Sequence, residues 1–105
     1  MRPKFTQREF FSWLRKAEGE AECSAGTACL LAKFLPTVGI NVFHVYRDKY
    51  EETLDKRGTR MEYPLPVWAQ RVISRFDKSG SRRGLHTLSM NQSRRLFSKQ
   101  MRSLA

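Results

Sequence analysis

Arg71, Arg75, Lys78, Arg82, Arg83, Arg94, Arg95, Lys99 and Arg102 fall within the last 35 residues of the chain, and Asp77 is the only acid among them. Seven of these nine are arginine, whose planar guanidinium offers parallel N–H donors to two oxygens of one phosphate or carboxylate. Two trios repeat one spacing: Arg71, Arg75 and Lys78, then Arg95, Lys99 and Arg102, each at i, i+4 and i+7. On a helix that spacing puts all three side chains on one face, along about 10 Å of axis. A solvated helix usually mixes signs, because like charges at i and i+4 repel by a few tenths of a kcal/mol while opposite charges gain as much. Arg71/Arg75 and Arg95/Lys99 are like-charged neighbours, which a polyanionic partner would relieve. If four or five of the nine reached phosphates, duplex affinity would fall with salt at a log–log slope of about −4.

Reading base edges would need further groups. Asn91 and Gln92, beside Arg94 and Arg95, have the chemistry to contact bases in a major groove, and Ser89 can hold a phosphate at a helix N-terminus. About nine residues separate the two basic helices, whereas a helix-turn-helix turns in three or four, so sequence-specific binding is not expected. No Gly-rich phosphate cradle, zinc-finger spacing or RNA-recognition signature is present.

Other residue types suggest chemistry less strongly. Cys23, Cys29, His44 and His86 form a conceivable four-ligand metal set, but the close Cys-Cys or His-His pair typical of zinc sites is missing, so buried structural thiols are expected and no metal or cofactor. Glu51, Glu52 and Asp55 lie on neighbouring strand and turn positions rather than converging from separate elements, as metal-dependent nuclease chemistry requires. Neither Ser nor Cys has an evident base. We expect no catalytic residue and a non-enzymatic protein.

The sequence must position the basic rows with few elements. Its 105 residues, 40% hydrophobic with Trp13, Trp68 and seven Phe, suit one domain with a packed core. Thr6 and Glu9 have capping-box spacing, with Phe5 and Phe10 placed for a hydrophobic staple, which predicts a helix over residues 7–18 with a buried stripe of Phe10, Trp13, Leu14 and Ala17, stopped at Gly19. Ser24 or Thr27 can cap a second helix through "ACLLAKFL", ended by Pro36 and Gly39. "INVFHVYR", "KYEETL" and "TRMEYPL" then read as a meander with a turn at Asp55 to Gly58. A third helix starts near Pro66 and ends at Gly80, with Trp68, Ala69, Val72, Ile73 and Phe76 inward. Arg82 and Arg83 would lie in the loop that follows. Ser89 and Gln92 box a fourth helix carrying Met90, Phe97 and Met101 toward the core. The expected fold is α+β: two N-terminal helices, a three-stranded antiparallel meander and two C-terminal basic helices.

The formal charge of +10 is regional, +8 from residue 71 onward and +2 before it. Such an imbalance favours a polyanionic partner over mere solubility. Nucleic acid, DNA or RNA, is the expected partner. The alternative is a phage or mobile-element inhibitor or adaptor held to an acidic surface of a host polymerase, nuclease or CRISPR-type effector. A membrane is not expected, and with neither an export signal nor a spanning apolar run the chain reads as cytoplasmic. "CLLAKFL" and "LPVWAQRV" resemble segments of uncharacterised small bacterial and phage proteins that carry a Cys-Pro-Leu-Ala stretch and a later Leu-Pro-x-Trp-Ala helix, with Leu30 here where that pattern has Pro. That resemblance implies no activity or site.

Overall fold

The computed structural model describes residues 5–23 and 26–103. Its first helix, α1 (Gln7–Lys16), opens on the expected reciprocal cap: the Glu9 N–H donates to Thr6 Oγ1 at 3.1 Å and the Thr6 N–H to Glu9 Oε1 at 2.8 Å. Phe10, Phe11 and Leu14 are buried, and the chain leaves the helix through Gly19 at φ +90°. Phe5 and Phe10 both pack edge-on against Phe34, so the residues expected to staple the cap share an aromatic partner.

The next elements differ from expectation. A short strand, β1 (Glu20–Glu22), precedes α2 (Leu30–Phe34), whose N-cap is Cys29, without a side-chain hydrogen bond, rather than Thr27; Ser24, the other expected cap, lies outside the described residues. Backbone groups before α2 are already engaged, since Ala28 O accepts from the Glu22 N–H and Gly26 O from the Val45 N–H. That loop ties β1 to the next sheet instead of joining the helix. Pro36 does not end α2 outright but sits in a 3₁₀ turn, Leu35–Val38, closed by Gly39 in the left-handed region.

The meander forms as read, in the order β2 (Val42–Val45), β3 (Lys49–Thr53), β4 (Arg60–Pro64), antiparallel throughout. Its β3–β4 turn is built by Asp55, whose Oδ1 accepts from the Arg57 and Thr59 N–H groups, with Gly58 at φ +84°. Val45, Tyr50 and Tyr63 lie side by side across the three strands, and the two tyrosine rings stack at 5.4 Å.

Helix α3 (Val67–Arg83) runs one turn past Gly80, correcting the expected stop. Gly84 adopts φ +66°, its N–H donates to Ser81 O, and the Leu85 N–H reaches Gly80 O at 2.8 Å, the paired closure of a Schellman motif. Gly80 has a different role. A Cβ there would collide with Cys23 Sγ, so the residue is small because β1's exit packs against it. Ala69, Val72, Phe76 and Gly80 form α3's buried face.

A second short strand, β5 (Thr87–Ser89), pairs antiparallel with β1, Ala21 opposite Leu88, both buried. The chain then forms α4 (Met90–Leu96) and α5 (Ser98–Ser103) rather than one continuous helix. Phe97, at φ −107° and ψ 15°, separates them. One hydrophobic cluster joins α1, α2, the meander, α3 and the C-terminal helices. Among the described residues no helix is long and apolar enough to cross a membrane.

Candidate functional site

Because α3 continues to Arg83, the expected trio becomes a longer row. Arg71, Arg75, Lys78 and Arg82 follow at i, i+4, i+7 and i+11, covering about 16 Å of helix, and all four are exposed. They border a groove of about 810 Å³ between α3 and the α4–α5 corner, to which α1 also contributes lining residues. Arg83 lines the same groove. Its floor is apolar and comes from three directions: Phe11 of α1, Trp68 and Val72 of α3, and Leu96 and Phe97 at the corner. Gln7, Ser74, Ser79 and Gln100 supply neutral polar groups to its walls.

The chain's own interactions explain why the floor stays in place. Phe97 is buried and its ring lies 5.9 Å from that of Phe11, which in turn meets Phe10 at 5.0 Å. Trp68 is half-buried and held from the core side by Phe5 and Phe10, at ring distances of 5.7 and 5.8 Å. Trp68, fixed in this way, needs little further ordering when a ligand meets its open side.

No carboxylate lines the groove among the described residues. Asp77, on α3, acts elsewhere: its charge and, more strongly, burial push the Cys23 thiol above its ordinary range. Among the described residues Arg71, Arg75, Lys78, Arg82 and Arg83 make no ion pair or side-chain hydrogen bond, whereas Lys49 pairs with Glu62 at 3.1 Å on the meander. Neighbouring cations on α3 therefore repel one another at roughly 0.2–0.5 kcal/mol per close pair, and binding an anion removes that cost.

The remaining sequence candidates lie elsewhere. Arg95, Lys99 and Arg102 are exposed but outside the groove lining, and the helix that would align them is interrupted at Phe97. Arg94 is engaged by the fold: Nη1 donates to Leu14 O at 2.8 Å and Ala17 O at 2.7 Å, and Nη2 to Asn91 Oδ1 at 2.7 Å. A cation over the last carbonyls of α1 also meets the negative end of that helix. Asn91 is thus bound to Arg94, and Gln92 completes the second capping box, accepting from the Ser89 N–H at 2.8 Å while its own N–H donates to Ser89 Oγ at 3.0 Å. Both base-contact candidates thus also help to position α4.

Cys23, Cys29, His44 and His86 do not converge; among the described residues no three His, Cys, Asp or Glu side chains come close enough to hold a metal. The His44 ring instead packs against Gly26 and lies tilted by 41° against the Tyr46 ring, 4.4 Å between centroids. Burial pushes the Cys29 thiol up, which makes it inert rather than nucleophilic.

Sequence inspection missed the groove floor. Phe11 falls outside the stripe expected for α1, Trp68 reads as a core residue, and Gln7 and Gln100 carry no motif. The signal available was weak: two adjacent phenylalanines on α1, of which a single buried stripe accounts for one. No family model, curated protein or solved structure matches the chain.

Proposed function

We propose that this chain is a non-enzymatic nucleic-acid-binding protein that grips the phosphate backbone with α3. One observation carries the proposal: five cations, four of them arginine, border one groove in which no described carboxylate competes for them. Along a nucleic-acid strand, charges recur about every 3.4 Å of helix axis, so a row of about 16 Å spans several phosphates at once. Arg71, Arg75, Lys78, Arg82 and Arg83 make these contacts. Arg95, Lys99 and Arg102 add to the long-range field that draws a polyanion toward the surface, a contribution that salt screens over about 10 Å at 0.1 M.

The test is a salt-titrated anisotropy measurement against DNA, RNA and anionic vesicles in parallel. With five phosphates engaged, we expect nucleic-acid affinity to fall with salt at a log–log slope of about −4.5 for a duplex or about −3.5 for a single strand. Vesicle binding that exceeds nucleic-acid binding, or a slope near zero, overturns the proposal. Co-purification of an acidic enzyme that resists nuclease digestion, with no nucleic-acid affinity, would support the host-protein inhibitor instead.

A further inference from the structure

We infer that the groove takes single-stranded nucleic acid, with a nucleobase seated against Trp68 between α3 and the α4–α5 corner while flanking phosphates lie on the cationic rim. This rests on the phosphate-binding proposal above and adds the form of nucleic acid and the place of the base. A duplex brings only sugar and phosphate to a helical row and keeps its bases stacked away from it. The half-buried faces of Trp68 and Leu96, the part of the floor that solvent still reaches, would then remain wet beneath a polar ligand. A single strand combines both required chemistries in each nucleotide: an apolar π-face for the floor and an anion for the rim. Proteins that hold single strands combine these same two surfaces, a basic track with aromatic side chains along it.

Three features of the groove fit a base. Its volume, about 810 Å³, lies within the range that encloses small organic ligands. Trp68 stands on the same helix as the cations, three residues before Arg71 and seven before Arg75, so a base on the indole has its phosphates within one or two helical turns of their partners. The walls also offer neutral amides and hydroxyls. Gln100, a groove-lining side chain, carries an amide whose donor and acceptor groups suit a base edge. An acidic amphipathic helix would use the cations equally well, but it calls for a long exposed apolar strip, and here Phe11, Val72 and Phe97 are buried while Gln7, Ser79 and Gln100 line the walls with polar groups.

The experiment compares four labelled probes of equal length at one salt concentration: oligothymidine, oligoadenosine, an abasic phosphodiester strand and a duplex. It uses the full chain with Trp13→Phe, which leaves Trp68 as the sole tryptophan. We expect oligothymidine and oligoadenosine to bind about tenfold or more tighter than the abasic strand, with Trp68 emission quenched on binding. Ser79→Phe fills the groove seven residues along α3 from Val72, on the same face, and should bring the ratio of thymidine to abasic affinity toward one. Equal affinity for all four probes with unchanged Trp68 emission overturns base seating and leaves the backbone grip standing. Affinity for none of them sinks the phosphate-binding proposal itself, and saturable binding of an acidic helical peptide in that case assigns the groove to a protein.

Discussion

Two double variants that remove the same charge test whether the groove or the net charge drives binding. Arg71→Gln with Arg75→Gln takes two cations from the rim, while Arg95→Gln with Lys99→Gln takes two from outside the groove lining. Each leaves the chain at +8, and all four side chains are exposed, so neither pair should lower the melting temperature appreciably. For a single strand each engaged phosphate contributes about 0.7 to the log–log salt slope. Five contacts give about −3.5, and losing two gives about −2.1. The same relation puts the affinity loss at 0.1 M salt near 25-fold for the rim pair. The outer pair acts only through a field screened over about 10 Å, so its loss should stay within about threefold with the slope nearly unchanged. Anisotropy titrations from 50 to 300 mM salt supply both numbers. Equal losses for the two pairs would refute the assignment of binding to the groove.

Three further outcomes follow from the packing. Arg94→Ala removes charged donors from Leu14 O and Ala17 O and should cost about 2 kcal/mol, a fall of roughly 10 °C in melting temperature, without changing the salt slope of binding. Gly80→Ala gains helix propensity but drives a methyl into Cys23 Sγ; we expect a net loss of about 1 kcal/mol, recovered in part when Cys23→Ala is added, as measured by urea midpoints. Tyr50, pushed up to about 12 by burial, with smaller contributions from the Glu52 and Tyr63 charges, keeps its proton where an unfolded tyrosine releases it near 10. Its stabilisation is therefore complete below pH 10 and lost as pH rises to 12, and Tyr50→Phe should flatten that part of the melting-temperature profile.

Elements with a local chemical signature were legible in the sequence. Both capping boxes, Thr6/Glu9 and Ser89/Gln92, close as their spacing implies, because the reciprocal bonds involve residues three apart. The three strands of the meander and the Asp55 turn follow from alternation and turn chemistry within some twenty residues. What depends on distant partners was not legible. β1 and β5 hold three residues each, too few for a period, and exist because they pair across the chain. Gly80 reads as a stop in isolation, yet the contact with Cys23 makes it an interior helix position. That difference extends the cationic row to Arg82 and Arg83. Arg94 looks like its neighbours in sequence and is set apart by carbonyls almost eighty residues away. The groove floor, drawn from α1, α3 and the α4–α5 corner, could be found only after those elements had been placed.

The most direct test maps the contact surface by titrating isotopically labelled protein with a short oligothymidine and following backbone amides, arginine Nε–H groups and the Trp68 indole N–H by nuclear magnetic resonance. We expect the largest shifts at Trp68, Arg71, Arg75, Ser79 and Arg82 on α3 and at Phe97 and Gln100 across the groove. Shifts centred on the β2–β3–β4 sheet or on Arg95 and Arg102, with the α3 resonances unmoved, would contradict the groove as the binding site.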